Sequence, residues 1–171
     1  MVLQRVDLGD CQHALEPFNG TGTISAALRA AGLAQVRTND LASSRPADLH
    51  EDALQPGFYR RYARKFGAPD VIVTSPWFSV LDIALPVIVE SATVVACVHV
   101  PGHYLASGLG PRYAYLRQLQ QCGRLVVMFG LPRGPLGWRC AWVLVLKSAA
   151  LRARLLRPGW QVADGLVFGA D

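Results

Sequence analysis

Three segments carry residues whose types and spacing could do chemistry. In Glu16-Pro17-Phe18-Asn19-Gly20-Thr21-Gly22 the glycines permit a tight turn and let a ligand approach the main chain closely. A strand-to-helix turn also uses glycine for purely structural reasons, so this turn gains meaning from its surroundings. Asp40, in Thr38-Asn39-Asp40, lies eighteen residues beyond Gly22, a separation that suits a carboxylate accepting hydrogen bonds from ribose hydroxyls. A turn or helix-capping aspartate is the competing reading. Asp52 could accept from an adenine amino group, or belong with Asp48 and Glu51 to a solvated acidic loop. In the third segment, Asp70 to Phe78 (DVIVTSPWF), Pro76 cannot donate within a sheet and holds Ser75 extended, so a strand must stop there. That leaves a fixed Ser75 hydroxyl, free backbone carbonyls and two aromatic rings, Trp77 and Phe78. Core aromatics at a strand end would look the same.

Positioning these groups requires alternating strands and helices, and the pattern supplies them. Ala14-Leu15 is a short apolar stretch, and Thr23 to Ala31 predicts a helix with Ile24, Ala27, Leu28 and Ala31 at helical spacing and Gly32 as its stop. Gln35 to Thr38 predicts a short strand, and Ser43 to Leu54 a polar loop around a minimal strand near Asp52. Pro56 to Phe66 predicts a helix with proline in its first turn and Arg60, Arg61, Arg64 and Lys65 on its solvated side. Val71 to Val73 is a β-branched strand, Ser79 to Ser91 a helix kinked by Pro86, and Thr93 to Val100 a buried strand stopped by Pro101-Gly102. A glycine-rich loop, a helix over Arg112 to Gln121 and strands over Leu125 to Phe129 and Ala141 to Leu146 follow; the tail from Leu151 has no clear pattern. Alternation implies a mostly parallel sheet with helices on both faces, and the two closing strands an antiparallel hairpin. All three chemical segments then fall at the carboxyl ends of strands, where open α/β sheets bind ligands. With no repeat or linker, residues 1–171 read as one domain with a core of about 14 to 147.

Composition narrows the partners. Half of the residues are hydrophobic (51%) and 17% are charged, which supports a filled core over disorder. No apolar run reaches the ~18 residues that span a bilayer, and the first residues, MVLQRVDLGD, lack a signal peptide's apolar core. The expectation is an intracellular chain, cytoplasmic or nuclear, with no membrane partner. Cys11, Cys97, Cys122 and Cys140 are far apart and show no zinc spacing, so no metal site is expected. A net charge of +5, carried almost entirely by arginine, favours polyanions such as nucleic acid, although ordinary solubility accounts for it as well. The loops Pro101 to Arg112 and Leu131 to Arg139 mix arginine with Tyr, His or Trp, a mixture suited to phosphate neutralisation and base stacking. His99 and His103 read as hydrogen-bonded histidines without a catalytic role.

In this order the segments resemble the amino-methyltransferases that modify adenine N6 or cytosine N4, and among them small enzymes of phages and mobile elements. EPFNGTG is similar to that family's FxGxG motif for S-adenosylmethionine (SAM), SPWF to its (D/N/S)PP(Y/F/W) catalytic motif, and TND…ADLHEDA to its acidic segments; the resemblance covers about residues 14 to 147. It implies a single-domain, Rossmann-like class I methyltransferase sandwich. Glu16, Pro17, Phe18, Gly20, Gly22, Asp40, Asp52 and Ser75 would hold SAM, and Ser75, Pro76, Trp77 and Phe78 would act on the substrate. Ser75 and the Pro76 carbonyl would accept the amine's N–H groups, while Phe78 stacks on a base flipped from DNA. The chain departs from the family at Trp77, where a second proline usually stiffens the backbone, and it has no insertion for target recognition. Contacts to DNA would come from loops, a partner chain or a dimer. Adenine N6 of DNA is the leading substrate. A module without turnover that binds nucleic acid or regulates a partner is the alternative, and methylation of RNA or of a protein glutamine the next.

Overall fold

Short apolar, β-branched runs set the sheet. β1 (His13–Glu16) and β3 (Val71–Thr74) are buried at every position, as strands flanked on both sides and covered on both faces must be. β2 (Gln35–Thr38) exposes Gln35 and Arg37, the polarity of a sheet edge. β4 (Val95–Pro101), β5 (Leu125–Phe129) and β6 (Cys140–Leu146) complete a six-stranded sheet in the order β2-β1-β3-β4-β6-β5. The computed structural model describes residues 7–106, 110–129 and 140–151. Strands β1 to β4 are parallel, and β6 is antiparallel to both β4 and β5. The expected closing pair is present, but β6 inserts between β4 and β5 and leaves β5 at the edge. Its sequence, CAWVLVL, is apolar toward both faces and buried from Ala141 to Leu146, which suits an interior position.

The helices are α1 (Thr23–Ala30), α2 (Phe58–Phe66), α3 (Leu81–Ser91), α4 (Gly102–Ala106) and α5 (Pro111–Gln121), with a 3-10 turn at Phe78–Val80. Alternate strand residues go to opposite faces. Ala14, Val71, Val73 and Cys97 pack with Leu28 of α1. Leu15, Ile72, Ala96 and Val98 pack with Tyr62 of α2, Ile88 of α3 and Leu116 of α5. The split follows from the path of the chain. From β1 to β2 it steps one way along the sheet, and from β2 to β3 it steps back across β1, so right-handed crossovers put α1 and α2 on opposite faces. The reversal opens a crevice beyond the carboxyl ends of β1 and β3.

Three local expectations are corrected. No strand forms near Asp52; one isolated parallel bridge, Asn39 to Leu49, stands there. Asp48 supplies the reason: its carboxylate accepts from Thr38 N–H at 2.8 Å and Thr38 Oγ1 at 3.0 Å, taking the place of a ladder partner. Pro56 lies outside α2, whose N-cap is Gly57. The segment after β4 is helical at once, as α4, where a glycine-rich loop is expected. Among the described residues no helix is long and apolar enough to cross a membrane.

Candidate functional site

β1 delivers Glu16 to the crevice floor, where it is fully buried. Thr74, the last residue of β3, donates its hydroxyl to Glu16 Oε1 at 2.5 Å, while Oε2 has no partner among the described residues. Burial pushes this carboxyl well above the ordinary carboxylate range, and the charge of Asp40 adds to the rise; the Thr74 hydroxyl and the Phe18 N–H act against it. A buried acid with one oxygen unpaired is costly unless another group completes it. A ligand cation in the crevice would do so.

The chain then turns through Pro17 to Gly22, and side chains from β2 and its loop hold the turn. Asn39, fully buried, donates Nδ2 to the Pro17 carbonyl at 3.0 Å and to the Glu51 carbonyl at 2.9 Å. Asn19 accepts from Ser25 Oγ at 2.8 Å. Phe18, partly buried, packs on the core under α2 and α3. Gly20 and Gly22 take φ of 54° and 79°, a region that side chains with a Cβ rarely enter. A Cβ placed on Gly20 would meet no atom within 4 Å, so the main chain here borders open space.

Asp40 and Asp52 differ in what they do. Asp40 accepts from Gly20 N–H at 2.7 Å through Oδ2 and from Ala42 N–H at 2.9 Å through Oδ1. It ties the glycine turn to the end of β2, and each oxygen keeps a further acceptor lone pair. Asp52 instead accepts from Leu54 N–H at 2.9 Å and from Gln55 Nε2 at 3.1 Å. Those are the bonds of a turn aspartate.

Beyond β3 the chain presents Ser75 and Phe78 to solvent while Pro76 is buried. Trp77 is 81% exposed and Phe78 39%. Trp77 has φ −55° and ψ 136°, the φ a proline ring would impose. Ser75 Oγ lies 3.1 Å from His99 Nδ1. The His99 ring sits 6.5 Å from that of Phe78 and 5.1 Å from that of Trp142, centroid to centroid. Burial lowers its pKa from the ordinary histidine value.

The structure therefore brings Glu16, Gly20, Gly22, Asp40 and Ser75 to one edge of the sheet, and the Glu16–Thr74 bond joins the glycine turn to the strand that ends in SPWF. Two participants escape a reading by motif. Thr74 is signalled only by its place at the end of a strand adjacent to β1, and His99 only by the register that follows the Thr74–Val98 pair. The loop candidates fare differently. Arg112 donates to both Asp82 oxygens, at 2.7 and 2.8 Å, and stacks 4.2 Å over Tyr104, itself buried. These two side chains brace α3, α4 and α5. The Leu131 to Arg139 loop lies outside the described residues, as does the tail beyond Leu151.

No protein-family model matches the chain, and no curated protein matches it. Solved structures do. A methyltransferase subunit of a type I restriction-modification system from Streptococcus thermophilus aligns with a TM-score of 0.59 at 13% identity, over 80% of this chain and 40% of that one. A hemolysin-designated protein from Lactococcus lactis aligns at 0.56 and 16%, over 80% of this chain and 78% of that one. Magnesium protoporphyrin IX methyltransferase from Synechocystis PCC 6803, with bound SAM, aligns at 0.51 and 13%, over 79% and 70%. The chain thus spans less than half of the restriction-modification subunit. At these identities the likeness establishes the fold: a Rossmann-like α/β sandwich, mostly parallel with an antiparallel strand, shared with SAM-dependent methyltransferases.

Proposed function

We propose that this chain binds SAM in the crevice above β1 and β3 and methylates an exocyclic amine of a nucleic acid base, adenine N6 of DNA first and cytosine N4 second. The observation that carries the reading is the Glu16–Thr74 bond, which fixes the glycine turn and SPWF side by side at the switch point of the sheet. The residues fit the cofactor. Glu16 Oε2 is buried without a partner and suits a ligand ammonium, the open side of Gly20 admits a ligand against the main chain, and Asp40 retains acceptor capacity for ribose. Bound SAM would supply an already electrophilic methyl group, so the protein's task is to aim a nucleophile along the displacement line. Ser75 and the Pro76 carbonyl would draw the amine's N–H bonds and favour a pyramidal, more nucleophilic nitrogen. Phe78, partly exposed beside Ser75, would stack on the flipped base. DNA as substrate is supported by the restriction-modification neighbour and by the excess of arginine.

The reading without turnover rests on Trp77. Its backbone angle weighs against that ground, because the φ a proline would impose is present without the proline. Calorimetric titration with SAM and with its demethylated product, followed by transfer of labelled methyl to DNA, tests the proposal. Stoichiometric binding and turnover are expected, Ser75→Ala or Phe78→Ala should abolish turnover, and Phe78→Ala should spare SAM binding. Folded protein that binds neither molecule would overturn the cofactor assignment. Full turnover in both variants would overturn the catalytic one.

A further inference from the structure

Methylation of an amine releases a proton, and the structure places an acceptor for it behind Ser75. In the β3–β4 ladder Thr74 pairs with Val98, so the next residues, Ser75 and His99, are brought together by the register itself. Ser75 Oγ and His99 Nδ1 are 3.1 Å apart. Phe78 from the 3-10 turn and Trp142 from β6 hold the imidazole from its other sides, with centroids at 6.5 and 5.1 Å. Ser75 is exposed and His99 half-buried, so the ring stands behind a residue that meets solvent. No carboxylate or cationic side chain of the described residues is a partner of His99. On the same face of the sheet the titratable neighbours are Cys97, two residues back and raised by its own burial and by Glu16, and Cys140, two residues before Trp142 on β6, while Glu16 stands two strands away on β1. Burial alone favours the neutral imidazole.

We infer that His99 is the positioning residue that orients the Ser75 hydroxyl and, through it, takes the proton released by the amine; the inference rests on the amine-methylation reading above. The step balances. The amine lone pair forms the new N–C bond as the donor's S–C bond breaks onto sulfur. The surplus proton on nitrogen passes to Ser75 Oγ while Ser75 passes its own to His99 Nδ1, and the imidazolium returns that proton to solvent after release of product. A nitrogen that has given up its lone pair holds its proton weakly, so an imidazole of reduced basicity suffices.

The relay requires Nδ1 to be the acceptor, and therefore the Nε2–H tautomer. Imidazole ¹⁵N NMR of histidine-labelled protein, with His99→Gln to assign the signal, should show unprotonated Nδ1 above the titration of His99 and a shift of that nitrogen in Ser75→Ala. Single-turnover methylation against pH supplies the second readout. His99→Asn can still hydrogen-bond Ser75 but takes no proton, so it should react about 100-fold more slowly, lose the acidic limb of the wild-type profile and bind SAM unchanged. An Nδ1–H tautomer, or a His99→Asn protein with full rate and an intact acidic limb, overturns the relay and leaves the amine-methylation reading standing. Wild-type protein that methylates no base overturns that reading, and the relay falls with it.

Discussion

Trp77 stands where the resemblance would place a proline, yet its φ of −55° already satisfies a pyrrolidine ring, and its N–H donates to none of the described residues. Trp77→Pro should therefore stabilise the chain by about 0.4–1 kcal/mol through the unfolded state, read as a rise in Tm. A fall would mean that the indole makes contacts its exposure conceals. Glu16 allows a prediction in pH. Its proton is held more tightly in the folded chain than in the unfolded one, because burial raises the folded value. In that window the native state binds more protons, so its contribution is full below the ordinary glutamate range and is lost as pH rises toward the raised folded value. Glu16→Gln keeps an acceptor for Thr74 and removes the ionisation. The stability difference between wild type and variant, followed by urea unfolding across pH, should move in favour of glutamine as pH rises; a flat difference would show that the carboxyl titrates normally. Thr74→Val, which takes the hydroxyl away from Oε1, should cost about 1–3 kcal/mol.

Local chemistry made some elements legible and left others hidden. VIVT and TISAALRA announce β3 and α1 by β-branching and by helical period, and the glycine turn lies between a strand and a helix as its spacing implies. The slot of β6 was not legible, since an apolar strand states that it is interior without naming its neighbours. Nor was the absence of a third strand after β2, which depends on a side-chain bond from Asp48 that no pattern reveals. Within the site, motif residues could be named, while Thr74 and His99 could not, because they join through the register of strands distant in sequence. The turn before α1 shows one need for its glycine. A Cβ on Gly22 would meet Ser25 Oγ at 3.6 Å and Asn19 Nδ2 at 3.7 Å, which are ordinary contacts, so the obstacle to a side chain is the φ of 79°. Asparagine tolerates the left-handed region and β-branched valine does not. Gly22→Val should thus lose about 1–2 kcal/mol or more, and Gly22→Asn distinctly less, in chemical denaturation. Equal losses would point to crowding.

At the scale of the molecule, the +5 charge acquires direction only from the fold. A helix that connects parallel strands runs back against them, so the last turn of α2, with Arg64 and Lys65, lies at the amino-terminal edge of the sheet, away from the crevice. The loop after β2 lies at the carboxyl edge instead. Its Pro46 carbonyl accepts from Asn19 Nδ2 at 2.5 Å, which docks it against the glycine turn, and it carries Arg45, exposed, next to that contact. A duplex offered to the site would meet Arg45 and miss the end of α2. Each phosphate neutralised releases condensed counterions and adds about 0.9 to the slope of log affinity against log salt. Arg45→Ala should therefore weaken DNA binding and flatten that slope by about 0.9, whereas Arg64→Ala with Lys65→Ala should change neither. Fluorescence anisotropy of a labelled duplex over a salt series reads both. If the pair on α2 flattens the slope and Arg45 does not, DNA is held on the far edge of the sheet, and the crevice takes some other amine.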